Sequence, residues 1–347
     1  MPNPILLSIV IPYYHETPAD VFPILSSLNN QVGIDYRRVE VLLVNDGADN
    51  VFDVAFLALF RNLNMRTIQL KENRGPGVAR QAGLDAAKGE YVMFCDADDT
   101  LHSVAVLGVF MQELDATRPD ILTSPWLEEM LADGRYSYLT HEDEATWMHG
   151  KAFRVAFLRD NGLRFHEKLR IHEDSYFLGI AFETTRNARK LPVTSYVWKY
   201  LPQSITRKNE AAYTYDSMPT FNEALMECFA ELERRGLTDG LPYKVVQLVM
   251  YTYFTMSQEH WLQKPDAREK AETSFTEAML RFMPYFDMMP PEQVRLVYNQ
   301  ERAKRFADGL ETETLDHWLN RIGLRCEGGD ALASQNQTDP RGELRAI

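Results

Sequence analysis

Along the first third of the chain, apolar and polar positions come in blocks. Ile5–Ile11 is a nearly continuous β-branched and aliphatic run that stops at Pro12, Val39–Val44 repeats it, and Arg66–Leu70 and Glu90–Cys95 are two more. Such runs are the pattern of strands buried on both faces of a parallel sheet. Between them, Pro18–Asn29, Val51–Leu63 and Pro76–Ala87 carry helical spacing. Strict strand and helix alternation predicts a doubly wound α/β sheet. Each strand ends in polar residues: Tyr13-Tyr14-His15-Glu16, Asn45-Asp46-Gly47, Glu72-Asn73-Arg74-Gly75 and Asp96-Ala97-Asp98-Asp99. In open α/β sheets ligands bind outside the carboxyl ends of the strands, so these clusters are expected to converge on one crevice.

Further along, the pattern predicts a helix over Ser103–Thr117, a short strand at Asp120–Ser124, a polar stretch to about Thr146 and a helix over Lys151–Asp160. A helix opened by His172-Glu173-Asp174 runs through Phe182, and Pro192–Tyr200 reads as a late strand. Beyond about Lys208 the period turns helical, over Tyr215–Arg235, Leu241–Gln263, Ala267–Met283, Glu292–Asp308 and Glu313–Arg321. The expected organisation is an α/β domain over 1–210, an all-helical domain over 211–326 and a loose tail over 327–347, where Gly, Ser, Gln, Asn and Asp follow no period. Tyr251, Tyr253, Phe254 and Trp261 make an aromatic helix that reads as a core or as a homodimer face.

Charge narrows the partners. The 347 residues hold 37 Lys plus Arg against 50 Asp plus Glu, a net −13, which argues against a broad grip on nucleic acid. Cys95, Cys228 and Cys326 are odd in number and form no C-x-x-C, which fits free thiols in a reducing compartment without structural zinc. The stretch Ile5–Pro12 is too short, and lacks the basic leader, for a signal peptide. No run approaches the roughly 18 apolar residues of a spanning helix, so the expectation is a cytoplasmic protein, with peripheral membrane placement left open.

The chemistry concentrates in carboxylates. Asp96-Ala97-Asp98 follows a hydrophobic strand, which holds alternate carboxylates at a sheet edge where they suit a hard divalent ion, Mn2+ or Mg2+, that also takes oxygens from a diphosphate. Alone, such a pair often only caps the next helix, and Asp99 or Thr100 is a candidate for that cap. Asp46-Gly47 reads either as a base reader or as a turn. The turn Asn73-Arg74-Gly75 leads into a helix with Pro76 in its first turn, and backbone N–H groups there, with the Arg80 guanidinium, favour an anionic ligand. Glu173-Asp174 is a second acidic pair, at a helix start whose dipole favours the ionised form unless burial raises the pKa.

Together, Ser8–Glu16, Glu40–Gly47, Asn73–Arg80, Tyr91–Asp99 and His172–Phe177, in that order, resemble glycosyltransferase family two, the inverting enzymes of GT-A fold that use nucleotide-diphosphate sugars. The resemblance covers roughly residues 5–207. It implies a GT-A (Rossmann-like, mixed-sheet) domain followed here by a C-terminal helical appendage. It implies that Pro12, Tyr14 and Glu16 line the nucleoside pocket, that Asp46 bonds the base, and that Asn73, Gly75, Arg80 and Ala97 lie along the donor. Asp98 then contacts the metal most directly, with Asp96 nearer the ribose, and Asp174 is the base, with Glu173 orienting the acceptor. His172 is either a further acceptor-side group or a hydrogen-bonding loop residue. Trp126 lies in the segment that the family often uses near the transferred sugar, and Gln203–Arg207 follows the late strand, so that Arg207 or Lys208 is expected to approach the diphosphate. Lys151 and Arg154 are alternative cations for that role. His15 stands where Asn is common, and Asn45 where Asp is common.

The implied activity is transfer from a nucleotide-diphosphate sugar, a UDP-sugar favoured because a carboxylate at Asp46 accepts the imide N–H of uracil, to a hydroxyl acceptor. A cell-envelope or capsular glycan is the expected acceptor; a protein or a modified nucleobase, as in phage-type enzymes, is the alternative. From a different class, a non-catalytic sugar-nucleotide-binding scaffold would keep the fold without turnover. A nucleotidyltransferase would need a Gly-rich first loop with a following Arg, which the chain lacks.

Overall fold

In the computed structural model, which describes residues 4–142, 145–202, 204, 210–305 and 313–325, the first apolar run forms β1 (Leu7–Tyr13), buried at six of its seven positions. The chain then runs through α1 (Pro18–Asn29), β2 (Val39–Asn45), α2 (Val54–Leu57), β3 (Met65–Gln69), α3 (Pro76–Ala86), β4 (Tyr91–Phe94), β5 (Thr100–Leu101), α4 (Val106–Thr117) and β6 (Ile121–Thr123). It continues through β7 (Trp126–Ala132), β8 (Arg135–His141), β9 (Lys151–Arg154), α5 (Val155–Asp160), α6 (Glu173–Thr184), β10 (Ala188–Lys190) and β11 (Tyr196–Trp198). The chain divides into two compact units, Met1–Glu210 and Ala211–Ile347.

Among the described residues of the first unit, seven strands form a sheet in the order β10-β6-β9-β4-β1-β2-β3, parallel except for β9, which runs against both neighbours. From β1 the chain builds outward to β2 and β3, then returns to place β4 on the other side of β1. This reversal of strand order is the switch point at which an α/β sheet opens a crevice. The mixed α/β architecture expected from the sequence is present. A smaller sheet, β5-β11-β7-β8, carries the segment after β6.

Three expectations for local structure change. The helix expected over Val51–Leu63 shrinks to the four residues of α2, capped by Asp53, whose carboxylate accepts from Phe56 N–H at 2.7 Å. Val51, Val54 and Leu59 are exposed there, while Phe52, Phe56 and Phe60, four residues apart, pack ring against ring. The polar stretch before Thr146 contains a hairpin of β7 and β8, turning at Asp133-Gly134 with φ +52° and +70°, the left-handed pair of a tight hairpin turn. Lys151–Asp160 is half strand: β9 is the antiparallel insertion between β4 and β6, and only then does α5 begin.

The second unit holds α7 (Glu210–Arg234), α8 (Leu241–Met256), α9 (Glu259–Leu262), α10 (Pro265–Met279), a 3-10 turn (Leu280–Phe282), α11 (Met283–Asp287), α12 (Pro291–Arg305) and α13 (Leu315–Arg321). Tyr253, Phe254, Trp261, Phe275 and Trp318 are buried within it, which accounts for most of the aromatic run as core. Glu272 accepts from Trp318 Nε1 at 2.9 Å and pairs with Arg268 and Arg321, so its buried carboxylate is satisfied. Among the described residues, no helix is long and apolar enough to cross a membrane.

Candidate functional site

The loops after β1, β2 and β4 meet at the switch point. Asp46, 3% exposed, accepts from the backbone N–H groups of Arg74 at 3.0 Å and Gly75 at 2.7 Å, and its own N–H donates to Tyr13 O at 2.8 Å. Burial raises its pKa, while those two backbone donors pull it back. Asn45 ties the same loop, its side chain bonding Ala48 and Asn50. Gly47 has φ +80°, and a Cβ there would stand 2.2 Å from Glu72 C, so only glycine lets the two loops touch. The turn reading of Asp46-Gly47 therefore holds, and the same carboxylate presets the N-terminus of α3, where Gly75 is the N-cap and Pro76 the first helical residue. Asn73 accepts from Arg170 at 2.9 Å. Pro12, Tyr14 and Glu16 are half-buried at the end of β1, and Glu16 folds back to accept Tyr14 N–H at 2.7 Å.

Arg80, on α3 and 6% exposed, donates to Asp96 at 2.6 Å and to Glu173, itself 5% exposed at the start of α6. A Cβ on Gly77 would meet Glu173 Cγ at 2.8 Å, so a glycine on α3 makes the room for this carboxylate. Burial works against the charge on Arg80, but Asp96 and Glu173 overcome it and raise the pKa; burial likewise works against Asp96, and Arg80 holds that carboxyl below its ordinary range. The expected roles shift accordingly. Arg80 spends its charge on two carboxylates, and Glu173 faces Arg80 in the interior instead of lying open to an acceptor. Asp174 is half-buried; burial, then the Glu173 charge, pushes its carboxyl up to about 7, against the pull of Arg80. The helix start therefore does not keep it at the ordinary carboxylate value. His172 precedes it as the N-cap, in the left-handed region at φ +61°.

Ala97 is buried, while Asp98 is half-buried, and burial, then the charges of Asp96 and Glu16, pushes the Asp98 carboxyl up to about 7. Asp99 is not a helix cap. It accepts from Tyr196 Oη at 2.8 Å and Lys199 N–H at 2.9 Å, and Tyr196 Oη in turn accepts from Asp96 N–H at 2.9 Å. Tyr196 on β11 thus stitches the small sheet to the end of β4. Its ring stacks on His149, with centroids 4.8 Å apart and planes 15° from parallel. Burial pushes the His149 imidazole down to about 4. One carboxylate oxygen each of Asp96 and Asp99 and a ring nitrogen of His149 lie within 4.8 Å of one another. Two carboxylates and an imidazole are a donor set that fits a divalent cation. Neither Asp99 nor His149 stands out as a ligand in the sequence: Asp99 reads as a cap, and His149 belongs to no motif.

The aromatic platform differs from expectation. Trp126 is 1% exposed and stacked on His141 at 3.9 Å, so its ring is core and is not offered to a sugar. Trp147 and Trp198 pack at 5.0 Å beside it and are only partly buried. Lys151, expected on a helix face, is a buried strand residue whose ammonium donates to Trp147 O at 2.6 Å and His149 O at 3.2 Å. Arg154 pairs with Asp120. Arg207 lies outside the described residues. Cys95 is a buried free thiol, and Cys228 is buried as well.

Residues 8–170 match the family described as Glycosyl transferase family 2. The chain is 28% identical over 262 residues to the succinoglycan biosynthesis protein ExoO of Rhizobium meliloti, covering 69% of this chain and 71% of that one. It is 28% identical over 276 residues to the poly(ribitol-phosphate) beta-N-acetylglucosaminyltransferase TarS of Staphylococcus aureus, covering 72% of this chain but only 44% of TarS. The crystal structure of S. aureus TarS 1-349 in complex with UDP-GlcNAc superimposes with a TM-score of 0.52 at 19% identity, covering 88% of this chain and 93% of that one, which shows a shared fold.

Proposed function

From the match of residues 8–170 to glycosyl transferase family 2, we propose that the chain is a metal-dependent, inverting glycosyltransferase that moves a sugar from a UDP-sugar to a hydroxyl of a cell-envelope or capsular glycan. The observation that carries this reading is Arg80, which joins the strand-end carboxylate Asp96 to Glu173, the neighbour of Asp174. One buried guanidinium thereby ties the end of β4, which carries Asp96, to the start of α6, which carries Asp174.

Asp96 and Asp98 would hold the divalent cation, Mn2+ or Mg2+, which when bound would supply positive charge to the diphosphate leaving group. The backbone N–H groups at the start of α3 favour the same anion. Asp174 accepts the proton of the acceptor hydroxyl while that oxygen bonds to the anomeric carbon and the bond from that carbon to the diphosphate oxygen breaks. A carboxyl raised to about 7 is well matched to this transfer near neutral pH. Asp46 reads the base. Support for UDP comes from the TarS complex with UDP-GlcNAc, and support for the acceptor class from the names of ExoO, a succinoglycan biosynthesis protein, and TarS, a poly(ribitol-phosphate) beta-N-acetylglucosaminyltransferase.

A panel of UDP-, GDP- and CDP-sugars, scanned by thermal shift with Mn2+ or with chelator, tests the reading, because a ligand that binds only the folded chain raises its melting temperature. The expected result is a Mn2+-dependent shift with UDP-sugars. No shift with any nucleotide-diphosphate sugar in the presence of Mn2+ would overturn it.

A further inference from the structure

Among the polar groups buried around the switch point, the His149 ring has no part in the proposed reaction. It is 4% exposed, and its Nε2 is buried without a hydrogen-bond partner. A buried imidazole nitrogen with nothing to bond is costly unless a ligand completes it. Its ring is held on one side by Tyr196, and Trp126 meets it edge-on at 4.8 Å, so it cannot swing to water without breaking the aromatic packing. A ring nitrogen and the carboxylate oxygens of Asp96 and Asp99 already lie within 4.8 Å of one another. Donors around one ion with bonds of roughly 2.1 Å stand about 3 to 4 Å apart, so the group needs only a small closure. The hydrogen bonds that Asp99 accepts from Tyr196 and Lys199 leave lone pairs on both oxygens and aim the carboxylate.

We infer that His149 and Asp99 join Asp96 and Asp98 as direct ligands of the divalent cation proposed above, making a mixed nitrogen and oxygen site that prefers first-row transition ions to Mg2+ and Ca2+. The inference deepens the metal-dependent reading above and rests on it. An all-carboxylate pair suits the hard ions, Mg2+, Ca2+ and Mn2+, whereas an imidazole shifts preference toward the later ions such as Co2+ and Zn2+. Tyr196 is then a positioning residue, since it holds Asp99 by its hydroxyl and His149 by its ring.

The test is metal binding by the full chain, without donor or acceptor. Mn2+ bound to the wild-type chain should show electron-spin-echo coupling to an imidazole nitrogen, and Co2+ should give a visible absorption band that Mg2+ displaces poorly. His149→Gln should remove the nitrogen coupling and weaken Co2+ by about 10-fold or more, the scale for losing part of a metal's surroundings, while Mg2+ affinity changes little. Absence of nitrogen coupling in the wild-type chain overturns the inference whether or not the variant folds. If Asp98→Asn abolishes Mn2+ binding and His149→Gln leaves affinity and spectra unchanged, His149 is not a ligand and the glycosyltransferase reading stands. If the wild-type chain binds neither Mn2+ nor Co2+, both fall.

Discussion

The guanidinium of Arg80 donates to Asp96 at 2.6 Å with one arm and to Glu173 with the other, so a single buried cation fixes the loop after β4 to the first turn of α6. Removing one partner of such a group leaves buried charge uncompensated. Arg80→Ala should destabilise the chain by about 3 to 5 kcal/mol, measured by urea unfolding. Arg80→Lys should recover only part of this, because one ammonium cannot match the fork that serves two carboxylates.

Asp174→Asn keeps the shape of the side chain and removes the proton acceptor. Turnover should fall about 10²-fold or more with donor affinity close to that of the parent. In the parent, the rate should rise with pH through about 7 as the raised Asp174 carboxyl ionises; the variant should lose that limb. Steady-state kinetics across pH on a responsive donor and acceptor pair checks both.

Asp98 and Asp174 have folded-state pKa values raised from 3.8 to about 7. For such groups the unfolded chain binds fewer protons between those values, so their contribution to stability is full below the ordinary carboxylate range and is lost as pH rises through about 7. In chelator, the melting temperature should therefore fall between about pH 4 and about pH 7. Asp98→Asn should flatten this fall, and added Mn2+ should restore the parent, but not the variant, near neutral pH.

Asp46→Ala would strand the N–H groups of Arg74 and Gly75 that its carboxylate now accepts. The expected cost is about 1 to 3 kcal/mol for each group left buried and unpaired, with weaker UDP binding and poorer discrimination against CDP. Asp46→Asn, which keeps one acceptor oxygen, should lose discrimination with a smaller loss of stability. Calorimetric titration with UDP and CDP, alongside thermal melts, separates the two effects.

Much of the fold is legible in the sequence because strands buried on both faces, such as β1 and β2, must be apolar at nearly every position. The strand-end carboxylates are legible for the same reason: a polar cluster after such a run has to emerge at the sheet edge. What local pattern cannot convey is pairing over distance. Glu173 sits 93 positions from Arg80, and nothing in His172-Glu173-Asp174 distinguishes a residue facing an acceptor from one facing a buried guanidinium. Lys151 reads as a helical surface lysine, yet β9 inserts between β4 and β6 and closes around it. Trp126 reads as a platform, yet β11 and β8 flank its strand and His141 covers its ring. Residue order by itself thus determined the α/β layering and the crevice, through burial and periodicity. Only the tertiary structure decided which charges neutralise one another and which imidazole stands beside the aspartates, because those depend on distances between segments that no sequence spacing encodes.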